Sequence, residues 1–155
     1  MSEAWTAERA AAVIADHARL DGATIPILHA LQERFGYVHA DAIPMIAEAL
    51  NLSRAEVHGV VSFYHDFRRE PAGRHVVKLC RAEACQSVGA VALARHAMRH
   101  LGVDWHETTA DGRITLEPVF CLGLCACGPA ALIDDEPVAA LDAARFEACV
   151  AALPA

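Results

Sequence analysis

The chain has 155 residues and a formal net charge of −7, from 20 acidic and 13 basic side chains. This length predicts one domain, or one domain with an appendage, and the acidic balance argues against nucleic acid or an anionic membrane as a partner. The longest uncharged stretch, 118–133, is interrupted by Gly128-Pro129 and is shorter than the about 18 apolar residues of a membrane span. The N-terminus lacks a basic region followed by an apolar run, so we expect no signal peptide and a cytoplasmic protein.

The first quarter of the chain is predicted to form two helices. Thr6 is the expected N-cap of a helix that extends to about Ala18, because apolar residues follow it at spacings of three and four. After a break at Asp21-Gly22, Thr24 is the expected N-cap of a second helix. Gly36 is placed to end that helix in the left-handed conformation.

Two more helices are predicted before the charged segment 68–74, which is expected to be a linker. Asp41 is the expected N-cap of the third helix. Ser53 and Glu56 match the capping box and begin the fourth, whose apolar positions extend to Tyr64. These segments predict a helical bundle arm.

The rest of the chain alternates between strand and helix patterns. Strands are predicted over residues 75–80, 103–108, 113–120, 131–133 and 137–139. A helix is predicted over 88–101, and Asp142 is the expected N-cap of a last helix. This order of elements predicts a small α/β sandwich of the α/β (α+β) class.

Four of the six cysteines fall in two spaced pairs, Cys80-x4-Cys85 and Cys121-x3-Cys125. Each pair comes directly after a predicted strand, and two neighbouring strands would bring both loops to one edge of the sheet. In a reducing compartment such clusters indicate metal or redox chemistry, and four thiolates suit a [2Fe–2S] cluster. Glycines in the loops allow backbone N–H groups to approach the sulfurs, and a helix beginning near Ser87-Val88 would direct its positive end towards Cys85.

Spacing alone leaves other interpretations open. Zinc also binds four cysteines at such spacings, so a zinc-stabilised interaction module without redox function is an alternative. The plant-type ferredoxin pattern and the C-x-x-C motif of thiol–disulfide enzymes are both absent. Cys127 could be a ligand, a sulfur near the metal or an inert thiol, and Cys149 is interpreted as a small buried apolar residue.

Two sets of motifs resemble one protein family. The thioredoxin-like [2Fe–2S] subunit of respiratory complex I is similar over residues 35–38 (FGYV), 43–44 (IP), 57–64 (VHGVVSFY), 80–85 and 117–125 (EPVFCLGLC). The resemblance extends from about Ala10 to Ala152. Within the family, residues 80–87 and 121–127 are most similar to the gamma subunit of soluble, molybdenum-containing, NAD-dependent formate dehydrogenases.

The resemblance implies a fold, a ligand set and partners. It implies an N-terminal helical bundle arm over residues 1–70 and a thioredoxin-like [2Fe–2S] ferredoxin domain over 71–155. The implied iron ligands are Cys80, Cys85, Cys121 and Cys125. The implied partners are an FMN- and NAD-binding diaphorase-type subunit, whose FMN exchanges single electrons with the cluster, and a molybdenum-containing catalytic subunit. The equivalent subunit of complex I or of an NAD-reducing hydrogenase is the alternative.

Catalysis by this chain alone is not expected. The sequence contains neither of the glycine-rich motifs that hold nucleotide phosphates, and no catalytic triad or carboxylate pair can be inferred from it. A one-electron cluster cannot by itself perform the two-electron hydride chemistry of formate and NAD. The expected role is therefore that of a non-catalytic subunit in an NAD-dependent oxidoreductase complex.

The remaining candidates for metal binding or for contact with a partner are two histidines and three aromatic residues. His96 and His100 are four residues apart and could bind a metal, although the simpler interpretation is a solvated helix face. Tyr64 is expected in the core of the helical arm, which leaves Phe63 or Phe67 as the residues that could contact a partner.

Overall fold

Helices form the first part of the chain, and a four-stranded sheet with further helices forms the second. The computed structural model describes residues 3–154, which divide into a helical unit ending at Pro71 and a sheet unit beginning at Ala72. The helical unit contains α1 (Ala7–His17), α2 (Thr24–Phe35), α3 (Ala42–Leu50) and α4 (Arg54–Phe63). The sheet unit contains β1 (His75–Cys80), α5 (Glu83–Ser87), α6 (Ala90–Leu101), β2 (Ile114–Val119), β3 (Ala131–Ile133), β4 (Glu136–Val138) and α7 (Ala143–Ala152). The predicted α/β class is confirmed.

Side-chain caps begin two helices of the helical unit where the sequence predicts them. The Thr6 hydroxyl accepts the Arg9 N–H at 3.3 Å and begins α1. At α4, the Ser53 hydroxyl accepts the Glu56 N–H at 3.2 Å, and the Glu56 carboxylate accepts the Ser53 N–H at 2.8 Å. This reciprocal capping box satisfies two backbone donors that the helix itself leaves free.

Two predicted caps are wrong. Thr24 is the first residue of α2 rather than its N-cap, and the cap position belongs to Ala23, which makes no side-chain hydrogen bond. Ala23 is buried and already helical in its backbone angles, so the preceding turn continues directly into the helix. Asp41 does occupy the N-cap position of α3, but its backbone is also helical and its carboxylate accepts no capping hydrogen bond.

The core of the helical unit is built from apolar residues of all its helices, and it includes Phe67 but not Tyr64. Phe67 is buried and contacts the edge of the His29 ring. Tyr64 is 45% exposed and Phe63 is 72% exposed. The prediction for Tyr64 and Phe67 is therefore wrong, because α4 ends at Phe63 and a turn closed by the Phe67 N–H on the Tyr64 carbonyl follows it.

The sheet has the strand order β2-β1-β3-β4. β1 is parallel to β2 and antiparallel to β3, and β3 and β4 form an antiparallel hairpin. Because parallel strands need a long crossover, α5 and α6 lie between β1 and β2 in the chain. The hairpin turn is Asp134-Asp135, both with positive φ, so the predicted hairpin is confirmed with its second strand one residue earlier.

The predicted strand over 103–108 does not form. His106 has a positive φ of 66°, which interrupts the extended backbone. The Asp104 N–H is bound by the Glu107 carboxylate at 2.7 Å, so a local side chain takes the donor that a strand would need. The segment lies beside β2 without regular strand pairing, apart from an isolated bridge between Thr108 and Thr115.

The predicted helix over 88–101 begins later than expected. Gly89 has a left-handed φ of 103°, and α6 begins after it at Ala90. Cys85 lies inside the separate short helix α5, so the prediction of a helix N-terminus near Ser87-Val88 directed at Cys85 is wrong.

One apolar core joins the sheet to α6 and α7. Val77 and Leu116 of the parallel strands are fully buried, together with Ala97 of α6 and Phe146 of α7. Asp142 caps α7 as predicted, since its carboxylate accepts the Arg145 N–H at 2.8 Å. No helix within residues 3–154 combines the length and the apolar character needed to cross a membrane.

Candidate metal centre

The two cysteine pairs lie at one edge of the sheet because β1 and β2 are parallel neighbours. In their register Cys80 lies opposite Val119, so the loops that follow the two strands leave at the same edge. The Arg81 N–H donates to the Val119 carbonyl oxygen at 2.7 Å and ties the first loop to the end of β2. The expectation that the two loops meet is confirmed.

The first pair is buried. Cys80 is the last residue of β1 and is 3% exposed, and Cys85 lies within α5 and is 2% exposed. Both pack with Ala90 and Ala130 in a small cluster of buried residues. A thiol is a weak hydrogen-bonding group and tolerates this apolar position, so the first loop is packed around its two sulfurs.

The second pair is exposed, and the Sγ atoms of Cys121 and Cys125 are 3.9 Å apart. Cys121 and Gly123 have left-handed φ values of 93° and 75°, which turn the chain sharply between the two thiols. Cys125 begins a single 3-10 turn that the Cys127 N–H closes on the Leu124 carbonyl oxygen at 3.0 Å. A positive φ is unfavourable for a non-glycine residue such as Cys121, and such conformations cluster at functional sites.

The Cys80 sulfur is the one most strongly stabilised as a thiolate. Burial alone would raise its pKa, but hydrogen bonds outweigh burial and the pKa lies below the usual value. The donors are the Ala82 N–H, the Cys85 thiol and the N–H groups of Cys121 and Leu122. Two of these donors belong to the second loop, so the second loop directly contacts the sulfur of the first.

The pKa values of the Cys85 and Cys125 thiols are raised instead. Burial, followed by the neighbouring Cys80 sulfur, raises the pKa of Cys85. The Cys121 sulfur is the main cause of the raised pKa of Cys125. Charge repulsion between the loops adds to these effects: the Cys125 sulfur raises the pKa of Cys85, and the Cys80 sulfur raises the pKa of Cys125. Four sulfurs this close together cannot all ionise without a cation between them, and a bound metal would supply that charge.

Gly128 provides the space beside Cys85. A Cβ atom at Gly128 would lie 3.1 Å from the Cys85 Sγ and 3.2 Å from the Val88 Cγ2. The Ala130 N–H also acts on the Cys85 sulfur and lowers its pKa against the effect of burial. The sequence predicts that loop glycines allow backbone N–H groups to approach the sulfurs; Gly128 does lie against the Cys85 sulfur, but the N–H groups that act on Cys80 and Cys85 belong to other residues.

The arrangement fits two metal ions better than one. A tetrahedral zinc ion with bonds of about 2.3 Å needs four sulfurs all about 3.8 Å apart. Within residues 3–154, the group with three His, Cys, Asp or Glu ligand atoms all within 4.8 Å of one another is His96, His100 and Glu147, which contains no cysteine. No three cysteine sulfurs of the described residues therefore have the spacing of a single tetrahedral site, while Cys121 and Cys125 form one close pair, which is compatible with a binuclear cluster.

The sequence does not show which residues supply the backbone donors, and it does not indicate one carboxylate. The N–H groups on the sulfurs come from residues whose side chains are irrelevant, so no residue type marks them. His96 and His100 lie on a partly exposed helix face as interpreted, but Glu147 accepts a hydrogen bond from His96 at 2.8 Å, which the sequence does not indicate. Glu147 lies far along the chain from both histidines, and no spacing indicates their contact. Cys127 is exposed, and Cys149 packs half-buried against the core of the sheet unit.

Comparisons with known proteins agree with this geometry. The family model described as thioredoxin-like [2Fe–2S] ferredoxin matches residues 10–154. A subunit of the NADH-quinone oxidoreductase of Pseudomonas aeruginosa is 40% identical over 114 residues, which are 74% of this chain and 69% of that protein. A subunit of the Thermus thermophilus NADH-quinone oxidoreductase is 34% identical over 134 residues, which are 86% of this chain and 74% of that protein.

A solved structure is also similar. The crystal structure of an NAD+-reducing [NiFe]-hydrogenase in the H2-reduced state matches with a TM-score of 0.68 and 30% identity over 84% of this chain. The present chain spans only 22% of the length of that hydrogenase chain.

Proposed function

The chain belongs to the thioredoxin-like [2Fe–2S] ferredoxin family, and we propose that it is an electron-transfer subunit whose [2Fe–2S] cluster is held by four thiolates. The proposed ligands are Cys80, Cys85, Cys121 and Cys125. The observation that supports this set most strongly is the parallel register of β1 and β2, which brings both cysteine loops to one edge of the sheet.

The residues of the site have distinct tasks. A bound [2Fe–2S] cluster supplies one-electron chemistry. The buried pair, Cys80 and Cys85, excludes water from one side of the site. The N–H groups of Ala82, Cys121 and Leu122 direct partial positive charge at the Cys80 sulfur, which offsets the negative charge of the thiolates. The exposed pair, Cys121 and Cys125, lies on the solvent side, where a partner could approach closely enough to exchange electrons.

The proposed partner is an FMN- and NAD-binding diaphorase-type subunit. The Pseudomonas and Thermus relatives belong to NADH-quinone oxidoreductases, and the similar structure is an NAD+-reducing hydrogenase. What these assemblies share is chemistry with a nicotinamide cofactor, which transfers two electrons together. A subunit with a one-electron cluster fits beside a flavin, because a flavin can accept two electrons together and pass them on one at a time. The location that we propose for the complex is the cytoplasm, where reduced thiols persist.

The parent complex that we propose is a molybdenum-containing, NAD-dependent formate dehydrogenase. The support is the resemblance of residues 80–87 and 121–127 to the gamma subunit of those enzymes. Complex I and an NAD-reducing hydrogenase are the alternatives. Purification of the native complex through this chain distinguishes the three. Molybdenum with formate-dependent reduction of NAD+ supports the proposal, nickel with hydrogen-dependent reduction indicates a hydrogenase, and quinone reduction indicates complex I.

The ligand set is tested by substituting the exposed pair. Cys121→Ser and Cys125→Ser should each reduce the cluster absorption and the iron and sulfide content about tenfold or more, since a cluster needs all four thiolates. Cys149→Ala is the matched control, because Cys149 packs against the core of the sheet unit and should leave the iron content unchanged. A colourless wild-type protein with one bound zinc, or serine variants that keep the wild-type spectrum, would contradict the proposal.

A further inference from the structure

A second group of metal-ligating side chains lies between α6 and α7, outside the cysteine loops. His96 and His100 are one turn apart on α6, and Glu147 is on α7. The His96 Nε2 and the Glu147 Oε1 are 2.8 Å apart, and the His100 Nδ1 is 3.8 Å from the same oxygen. One ligand atom from each residue lies within 4.8 Å of the other two.

The two helices that carry the three side chains pack against each other through a buried aromatic residue. The His96 and His100 rings are stacked with centroids 6.1 Å apart, and the His100 ring meets the edge of Phe146 at 6.2 Å. Phe146 is fully buried in the core that α6 and α7 share. The backbones that carry the ligands are thus fixed by packing before any ion binds, which is the condition for a preformed metal site.

The chemistry of this group selects a class of metal. Two imidazole nitrogens and one carboxylate oxygen suit a borderline divalent transition metal such as zinc rather than calcium or magnesium, which prefer oxygen ligands alone. Histidines four residues apart on a helix face present their nitrogens to one ion. The side chains are 27%, 37% and 46% exposed for His96, His100 and Glu147, so water can complete the coordination.

We propose that His96, His100 and Glu147 form a divalent transition-metal site that connects α6 to α7. A bound ion would replace the hydrogen bond between His96 and Glu147 and hold the two helices through three bonds. The site is independent of the iron–sulfur proposal, because it uses no thiol and no residue of the cysteine loops.

The test is a calorimetric titration of the full-length, cluster-loaded chain with zinc chloride. We expect one zinc ion per chain with a micromolar dissociation constant. His96→Gln and His100→Gln should each weaken binding by about tenfold or more, since even partners that only support a ligand change affinity by about 10–100-fold. Zinc at about ten times its dissociation constant should raise the midpoint of thermal unfolding of the sheet unit by about 6–11 °C.

His58→Gln is the matched control, because His58 is an exposed histidine on a helix of the helical unit. This variant should bind zinc with the same affinity as the wild type. The cluster absorption of each variant reports that it is folded. Wild-type zinc affinity in both His96→Gln and His100→Gln would overturn the proposal and indicate binding at the free thiols. Absence of zinc binding to the wild type below millimolar concentration would also overturn it and leave the three residues as a hydrogen-bonded cluster only.

Discussion

The helical unit and the sheet unit both have side-chain helix caps and an apolar core, and they differ in their cysteines and buried thiols. In the helical unit, side-chain caps begin α1 and α4, and the buried core residues are apolar. All six cysteines belong to the sheet unit, whose β3 and β4 have only three residues each. At the edge of that sheet the buried positions include two thiols, Cys80 and Cys85, whose charges a metal would have to balance. We therefore expect removal of metal to affect the cysteine loops and to leave the helical unit unchanged.

Iron removal should separate the two units most strongly. When a chelator removes the iron, the backbone amides of residues 121–127 should exchange hydrogen about 100-fold faster, because the loop is exposed and loses its anchor. The amides of α1 to α4 should keep their protection. Hydrogen exchange followed by mass spectrometry measures both regions in one experiment. Equal protection of the loop with and without iron would contradict the claim that the cysteine loops depend on the metal.

Gly128→Ala should damage the sheet unit specifically. The new Cβ atom would lie 3.1 Å from the Cys85 Sγ and 3.2 Å from the Val88 Cγ2, so one of them must move. Overpacking of this kind costs about 1–3 kcal/mol of the free energy of unfolding. The free energy of unfolding in urea and the iron content should both fall below the wild-type values. Retention of both would show that the Cys85 pocket is not tightly packed.

Ser53→Ala should damage the helical unit and leave the cluster intact. Loss of the cap should lower the free energy of unfolding by about 1 kcal/mol in urea. The cluster absorption should not change, and its loss would contradict the separation of the two units.

The effect of Ser53→Ala should also depend on pH. Hydrogen bonds from the Ser53 backbone and side chain hold the pKa of Glu56 below its usual value. A lowered folded-state pKa means that this contribution is present above the unfolded pKa and is lost as the pH falls through the folded value. The difference between wild type and variant should therefore be largest near neutral pH and shrink in acid below about pH 4.

Gly59→Ala should change the free energy of unfolding least, and it should raise it rather than lower it. Gly59 lies within α4, and a Cβ atom there would meet no atom within 4 Å. Alanine should stabilise the helical unit by about 0.5–1 kcal/mol through helix propensity. Measured beside Gly128→Ala, it distinguishes steric damage at the cysteines from a general effect of replacing glycine. Destabilisation by Gly59→Ala would remove that distinction.

The features that the sequence predicts correctly are those fixed by near neighbours. The capping box at Ser53 and the cap at Asp142 depend on residues three positions away, so their pattern is visible in the chain. The position of the cysteine pairs after β1 and β2 is also visible, and parallel pairing then brings the loops together.

The features that the sequence does not predict depend on local turns and on contacts between distant segments. Phe67 enters the core because a turn follows α4, and Tyr64 remains exposed for the same reason. The contact of Glu147 with His96 arises from the packing of α6 against α7. The N–H donors on the Cys80 sulfur come partly from the other loop, and backbone donors carry no signature in residue type.

Diffraction from crystals of the purified, cluster-loaded protein at the iron absorption edge tests the central claim most directly. We expect two adjacent iron positions at the edge of the sheet where β1 and β2 end. They should be enclosed by the sulfurs of Cys80, Cys85, Cys121 and Cys125, with Cys149 remote from both. A single metal position among these sulfurs, or irons bound elsewhere in the chain, would contradict that claim.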